Sequence, residues 1–248
     1  YQVDNSFLSL ALDIGELDAS HIRRFLPVAP YLGEGVSRFL NNAFYDQGKI
    51  AEAQLLWHGK FSEFPFKQNQ GIFQANVAIQ DADFSFDRNW PSVNGLDINL
   101  VFENLSLVMQ STAATIAGIE VKALKGYIPL LVGGADLIIE ATAHGSGDDI
   151  SSLLANSSLS QGLGKILTND ILVSNDLTTR LSLYIPLDAP QKTSASGIVT
   201  LLDNFVQIPS LLLELDKIDG RIIFDNDKVL FSKLQAKLLG QPIIADFN

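Results

Sequence analysis

The chain has 248 residues, of which 47% are hydrophobic and 18% charged, and its formal net charge at pH 7 is −11. A chain of this length can bury a substantial core in one or two domains. Its apolar excess over an average soluble domain needs a large core, a partner surface or an apolar groove. The negative charge argues against nucleic acid as a partner and against docking on anionic lipid through a basic patch. Without cysteine, disulfide bonds and thiolate metal sites are excluded.

The apolar sequence is not continuous enough for a membrane-spanning helix. The nearest candidate, 127–139, contains Pro129, Gly133, Gly134 and Asp136. The chain begins in strand-like sequence, without an initiator Met or a signal peptide. We therefore expect it to be a section of a longer protein.

Most of the chain alternates between apolar and polar residues, which predicts strands. The short connections favour antiparallel meanders. The predicted strands are 2–10, 49–61, 71–79, 84–86, 96–102, 105–109, 113–124, 135–143, 178–184, 197–202, 211–215 and 234–239.

Two segments, 18–44 and 149–167, have apolar residues at helical spacing instead. Pro27 and Pro30 interrupt the first of them. The candidate N-caps are Asp18 or Ser20 in the first segment and Asp148 or Asp149 in the second.

The strand pattern itself repeats over a long distance. Residues 96–121 reappear 122 positions later as 218–243, so that Phe102-Glu103-Asn104 aligns with Phe224-Asp225-Asn226. The repeat contains apolar alternation and polar turns, with no cluster of reactive side chains. This favours a protein that builds a surface or a groove over one that catalyses a reaction.

The predicted fold is mainly β: a long, twisted antiparallel sheet curled into an apolar groove, with short helical segments near 20–44 and 150–167. Residues 1–17 would be the end strand of a preceding module. Residues 18–140 and 141–248 would be two groove modules, each a helical segment followed by antiparallel strands. Because no Ser/Gly-rich linker separates them, we expect one continuous sheet.

Polar residues that could catalyse or bind metal do not converge in the sequence. His21, His58 and His144 lie in different elements without metal-ligand spacing, so we predict no catalytic residue, no metal site and no cofactor. The acidic groups fall in turns or at a helix start, where Asp is locally favoured. These groups are Asp81 with Asp83, Asp148 with Asp149, and Asp225 with Asp227.

The apolar face that both copies of the repeat share is the candidate functional surface. A closed sandwich core would keep the same residues, so this pattern leaves groove and core both open. The predicted groove-lining residues are Leu100, Phe102, Leu107 and Met109 in the first module and Ile222, Phe224, Val229 and Phe231 in the second.

A series of short motifs resembles the AsmA-like periplasmic proteins of Gram-negative bacteria, most densely over 20–125. The motifs are Ile22-x-x-x-Leu26-Pro27, Phe39-Leu40-Asn41-Asn42-Ala43-Phe44, Gly48-Lys49-Ile50, Leu56-x-x-Gly59, Phe64-Pro65-Phe66, Gly71-x-Phe73-x-Ala75-x-Val77, Asp81-Ala82 and Trp90-Pro91. Their order along the chain, more than any one motif, carries the resemblance.

The resemblance implies a large periplasmic protein tethered to the inner membrane by an N-terminal helix. Its repeating β-groove, similar to that of bridge-like lipid transfer proteins, would carry phospholipid toward the outer membrane. Phospholipid acyl chains would then be the cargo, and other modules of the same polypeptide the neighbours. Contact with membranes would occur through parts absent from this chain. The alternative is a structural periplasmic scaffold or interaction module of outer-membrane biogenesis, without lipid cargo.

Overall fold

A computed structural model of the chain describes residues 6–18, 34–43, 48–85, 88–226 and 228–247. Strands dominate these residues. The strands are β1 Phe7–Ile14, β2 Leu17–Asp18, β3 Lys49–Lys60, β4 Ile72–Phe84, β5 Val93–Glu103, β6 Ser106–Ile116, β7 Ile119–Ile128, β8 Asp136–Ser146, β9 Leu172–Ser174, β10 Asp176–Pro186, β11 Ser194–Ile208, β12 Leu213–Asp225, β13 Lys228–Leu238 and β14 Gln241–Phe247. The helices are α1 Glu34–Ala43 and α2 Gly147–Ala155, and α2 is followed by π-helical turns at Ser160–Gly164 and Ile166–Asp170.

All fourteen strands of the described residues form one open sheet. Its order is β1-β3-β4-β5-β6-β7-β8-β10-β11-β12-β13-β14, with β2 added to β3 and β9 added to β11. Neighbours in the sheet are antiparallel throughout these pairings. The sheet curls so that its concave face holds the main buried cluster. The predicted mainly β, antiparallel fold with a curled groove is confirmed.

The 122-residue repeat extends beyond the segment seen in the sequence. β4 and β11 begin at Ile72 and Ser194, and β6 and β13 span Ser106–Ile116 and Lys228–Leu238. Apart from the short strands β2 and β9, the succession of a strand, a helix and five further strands runs once from β1 to β7 and again from β8 to β14. The predicted boundary between residues 140 and 141 lies within β8, and the module limits stay a prediction.

Asn104 and Asn226 hold equivalent hairpin turns in the two repeats. Both have positive φ angles, 45° and 55°, a conformation that Asn adopts more readily than most residues. Each side-chain oxygen accepts a hydrogen bond from a backbone N–H of the adjacent strand, Phe73 at 2.8 Å and Ala195 at 3.0 Å. Each turn is thereby fastened to a third strand.

Aspartates hold equivalent bulges in the two repeats. The backbone N–H of Asp81 donates to Asp97 at 3.0 Å, and that of Asp203 donates to Asp219 at 3.0 Å. Asp81 and Asp203 both have positive φ angles and lie where the strand register shifts. These carboxylates satisfy backbone donors that the bulges leave without ladder partners.

Two local predictions were wrong. The predicted strand 113–124 is divided by a tight turn at Ala117–Gly118, with φ angles of 47° and 85°. The second helix is capped by Ser146, whose Oγ accepts from the backbone N–H of Asp149 at 3.1 Å, so neither predicted aspartate is the cap. Asp18 ends β2, and because the residues that follow it lie outside the described residues, its role as a helix cap stays a prediction.

Other helix predictions are met in part. α1 lies within the first predicted segment, whereas 19–33, including Ser20, lie outside the described residues. The second segment begins as α2 and continues as π-helical turns to Asp170.

Asn104→Ala should lower the free energy of unfolding by about 1–2 kcal/mol, because it removes an acceptor and places Ala at positive φ. Asn226→Ala should have a similar effect. Asn104→Gly should cost less, since Gly tolerates the turn. Urea unfolding would measure all three against the exposed Gln110→Ala. Equal stability of Asn104→Ala and Gln110→Ala would contradict this role.

Candidate functional site

A cavity of about 430 Å³ lies on the concave face of the sheet. Residues from β5 to β8 and from β10 to β13 form one wall, and the helical segment 147–170 forms the other. Apart from backbone and glycine, the polar residues on its lining are Ser151, Thr179 and Lys228. The cavity is therefore an apolar space lined by residues of both repeats.

Strand alternation determines which residues reach the cavity. Cross-strand pairing sets Leu181 opposite Ala141 and Leu183 opposite Ile139, so their side chains share one face of the sheet. The intervening residues, such as Glu140, lie on the outer face. The cavity-facing residues of β8 and β10 are Leu137, Ile139, Ala141, Ala143, Leu177, Thr179, Leu181 and Leu183.

Small residues make room in the middle of the cavity wall. Ala141 and Ala143 are only half-buried, which shows that no side chain from the opposite wall fills the space above them. At Gly126 on β7, an added Cβ would lie 2.6 Å from Cε of Met109, so this glycine admits the Met109 side chain. A larger residue at any of these positions would narrow the cavity.

The helical segment and two aromatic residues enclose the cavity. Ile150, Leu153 and Leu154 of α2 face it from the side opposite the sheet. Phe39 of α1 packs edge-to-face on Phe84 of β4, with ring centroids 5.8 Å apart, and both rings line the cavity. The cavity is thus bounded by elements of both repeats.

The loop between β4 and β5 contacts the helical segment 147–170 and so connects it to the sheet. Trp90 is 8% exposed and lines the cavity, and its Nε1–H donates to Oγ of Ser158 at 3.0 Å. Ser158 lies between α2 and the first π-helical turn. A residue of the first repeat therefore holds the helical segment of the second.

The predicted lining residues divide into three groups. Met109, Ile222 and Phe224 line the cavity. Leu100, Phe102 and Leu107 are 0–2% exposed members of the main buried cluster and do not line the cavity. The side chains of Val229 and Phe231 lie outside the described residues.

The backbone register of β13 places Val229 and Phe231 differently relative to β12. Val229 pairs with Phe224, as the predicted shared face requires, but Phe231 pairs with Ile223 because the register shifts between the two pairs. Contact of any of the eight predicted residues with lipid stays a prediction.

Loop residues belong to the same buried cluster as Leu100, Phe102 and Leu107. Phe66 from the β3–β4 connection and Leu131 from the β7–β8 connection are 1% and 2% exposed and belong to the same buried cluster. Sequence analysis placed Leu100, Phe102 and Leu107 on the apolar face but did not predict that loop residues join their cluster. It also overlooked the cavity-facing residues of β8 and β10, although alternation was visible in both strands.

The described histidines have partners of their own, away from any shared site. His58 Nδ1 lies 3.2 Å from Oγ of Ser9, and His144 Nδ1 lies 3.2 Å from Oγ1 of Thr178. His21 lies outside the described residues. Within the part of the chain that the structure describes, no three His, Cys, Asp or Glu residues are grouped to hold a metal ion. The same residues contain no helix long and apolar enough to cross a membrane.

Comparison with known proteins agrees with this architecture. The family model described as YhdP protein matches residues 1–248. The intermembrane phospholipid transporter YhdP of Escherichia coli (strain K12) is 29% identical over 245 residues, which are 99% of this chain and 19% of that protein. The chain thus spans about a fifth of the length of this relative. No solved structure matches significantly. The match over the whole chain shows that it belongs to the YhdP family, which confirms the AsmA-like resemblance.

Proposed function

We propose that this chain is an internal section of a periplasmic bridge that carries phospholipid toward the outer membrane. The observation that carries the proposal is the apolar cavity, which continues from one repeat into the other beneath a helical cover. The similarity to an intermembrane phospholipid transporter supports lipid as the cargo. The acyl chains would lie in the cavity.

The chemistry of the cavity suits an acyl chain in transit. Each buried CH₂ group contributes about 0.8 kcal/mol, whatever its position along the path. A volume of about 430 Å³ falls within the ~300–1,000 Å³ common for small-molecule sites. The apolar lining offers few polar partners that would hold a head group in one place, so a lipid could move from one repeat to the next.

The proposed path follows Met109, then the inward residues of β8 and β10, then Ile222 and Phe224. These residues line one cavity. Leu100, Phe102 and Leu107, which are buried outside this cavity, would form part of the supporting core.

The proposed role is non-catalytic and needs no cofactor. It places the chain in the periplasm as one section of a longer protein anchored in the inner membrane, with its neighbours being other modules of that polypeptide. The family and the length of the relative support this placement. Contact with either membrane would occur through other parts of the protein.

Replacing Ala141 by Trp should reduce co-purified phospholipid at least fivefold, because the indole would occupy the space above a small residue of the cavity wall. The matched control is Glu140→Trp, which adds the same side chain to the outer face of the same strand. Native mass spectrometry would measure the bound lipid. Both variants should remain folded.

Two results would count against lipid carriage. One is wild-type protein that neither retains phospholipid nor takes up a labelled phospholipid after delipidation, which would favour the scaffold alternative. The other is equal lipid occupancy in Ala141→Trp and Glu140→Trp, which would move the lipid away from the cavity.

The stability cost of an introduced aspartate should distinguish buried core residues from residues that line the proposed lipid path. Leu107→Asp should lower the free energy of unfolding by at least about 3 kcal/mol, because Leu107 is fully buried. Leu181→Asp should cost about 1–2 kcal/mol, since this half-buried residue faces the cavity, where its carboxylate can keep water. Leu181→Asp should nevertheless abolish most lipid photo-crosslinking.

Thermal unfolding and crosslinking would be measured on the same preparations. If Leu181→Asp stayed folded and crosslinked lipid normally, the path would not run along β10. If Leu107→Asp were as stable as Leu181→Asp, the assignment of Leu107 to the closed core would be wrong.

A further inference from the structure

Thr179 of β10 carries a hydroxyl group on the lining of the apolar cavity. Its Oγ1 is buried and has no hydrogen-bond partner among the residues that the structure describes. By contrast, Oγ of Ser151, on the opposite wall, donates to the carbonyl oxygen of Gly147 at 2.8 Å. Because an unsatisfied buried hydroxyl is destabilising, Thr179 is a candidate for contact with a bound molecule.

The side chains beside Thr179 are apolar. Strand pairing sets Thr179 opposite Ala143 of β8 and Val199 of β11. The same row across the sheet continues to Val121 of β7 and Ile222 of β12. All five residues line the cavity, and directly paired side chains share one face of the sheet. The hydroxyl is therefore the one polar group in this row.

Neither the strand nor the repeat requires a hydroxyl at this position. Valine has a similar branched shape and is also favoured in strands, and it would remove the unsatisfied group. The corresponding residue of the first repeat unit, 122 positions earlier, is Trp57. Strand formation and the repeat thus leave the hydroxyl of Thr179 unexplained.

A change of rotamer would turn this hydroxyl toward the cavity. The Thr179 side chain is only half-buried although its Oγ1 is covered, so its accessible surface belongs to other atoms. Rotation about the Cα–Cβ bond moves the hydroxyl to another staggered position, and threonine adopts more than one of these rotamers. An acceptor in the cavity would favour the rotamer that points the O–H toward it.

We infer that the Thr179 hydroxyl donates a hydrogen bond to the ester carbonyl oxygen of a lipid whose acyl chain lies in the cavity. The ester carbonyl is a neutral acceptor that adjoins the acyl chain, whereas a charged phosphate would lose its hydration in this apolar space. One neutral hydrogen bond is weak enough to be broken as the lipid moves. The inference rests on the proposed function and adds a preference for ester-linked over ether-linked chains, since an ether oxygen is a weaker acceptor.

Competition between two lipids that differ in this linkage tests the inference. Delipidated protein would be offered an equimolar mixture of dipalmitoyl phosphatidylcholine and its dihexadecyl ether counterpart, and native mass spectrometry would measure the ratio of the two bound lipids. The wild type should prefer the ester about fivefold, which corresponds to a hydrogen bond of about 1 kcal/mol. Thr179→Val should remove the preference, and Thr179→Ser should keep it.

Thr178→Val is the matched control. Thr178 lies on the outer face of the same strand, where its Oγ1 is 3.2 Å from Nδ1 of His144, so this variant should keep the wild-type ratio. An equal loss of preference in Thr178→Val and Thr179→Val would contradict the inference.

Stability without lipid gives a second measurement. Delipidated Thr179→Val should be at least as stable as the wild type in thermal unfolding, because the change removes an unsatisfied hydroxyl. A clear loss of stability would reveal a partner for the hydroxyl within the protein and would overturn the inference.

Infrared spectroscopy would detect the hydrogen bond directly. With an isotope label at the ester carbonyl of the bound lipid, the carbonyl stretch should lie at lower frequency in the wild type than in Thr179→Val. The same frequency in both proteins would show that Thr179 does not donate to the carbonyl.

Failure of the inference and failure of the proposed function would give different results. Wild-type protein that binds the ester and ether lipids equally would overturn the hydrogen bond and leave lipid carriage intact. Wild-type protein that binds neither lipid would overturn lipid carriage itself, and the inference with it.

Discussion

The hydrogen-bonded pairing of β7 with β8 is the constraint on which the rest of this structure depends. It joins two repeats into one sheet and sets the register, with Leu124 opposite Ala141 and Gly126 opposite Ile139. Because side chains alternate along a strand, a slip by one residue would turn the apolar set of one repeat toward solvent. The cavity exists because both repeats present their apolar residues to the same side.

Polar residues maintain this register without entering the cavity. Asn104 and Asn226 fasten hairpins to a third strand, and Asp97 and Asp219 accept from the backbone at equivalent bulges. Each interaction recurs at an interval of 122 residues. The repeat thus preserves the means of aligning strands, while the side chains that face the cavity differ in size between the two units.

The sequence allowed the sheet and the asparagine turns to be predicted because alternation and turn-forming residues are local properties. The turn at Ala117–Gly118 was missed because the apolar alternation of Ala114, Ile116, Ile119 and Val121 continues on both sides of it. Local pattern also could not separate Ser146 from the acidic residues beside it as the helix cap.

The cavity lining was harder to predict, because alternation shows which face of the sheet a residue lies on. It does not show whether that part of the face is covered by other side chains or open to the cavity. Leu107 and Met109 are on one face, yet only Met109 lines the cavity. Leu107 is instead buried outside the cavity, in a cluster that also contains Phe66 and Leu131 from loops distant in sequence. The cavity-facing residues of β8 and β10 could not be predicted from the repeat because both strands lie outside the repeated segments 96–121 and 218–243.

The hydrogen bond from Trp90 to Ser158 has a mechanical consequence. The sheets of the two units meet at β7 and β8, but the cover of the second unit reaches back to the loop before β5. The sheet and the helical segment 147–170 are therefore joined to the first unit at different places along the chain. A shearing or bending force at the junction would have to break backbone pairing and the tryptophan contact together. Because these two interactions lie at different places, a long protein built from such units would resist tension without exposing its apolar interior between units.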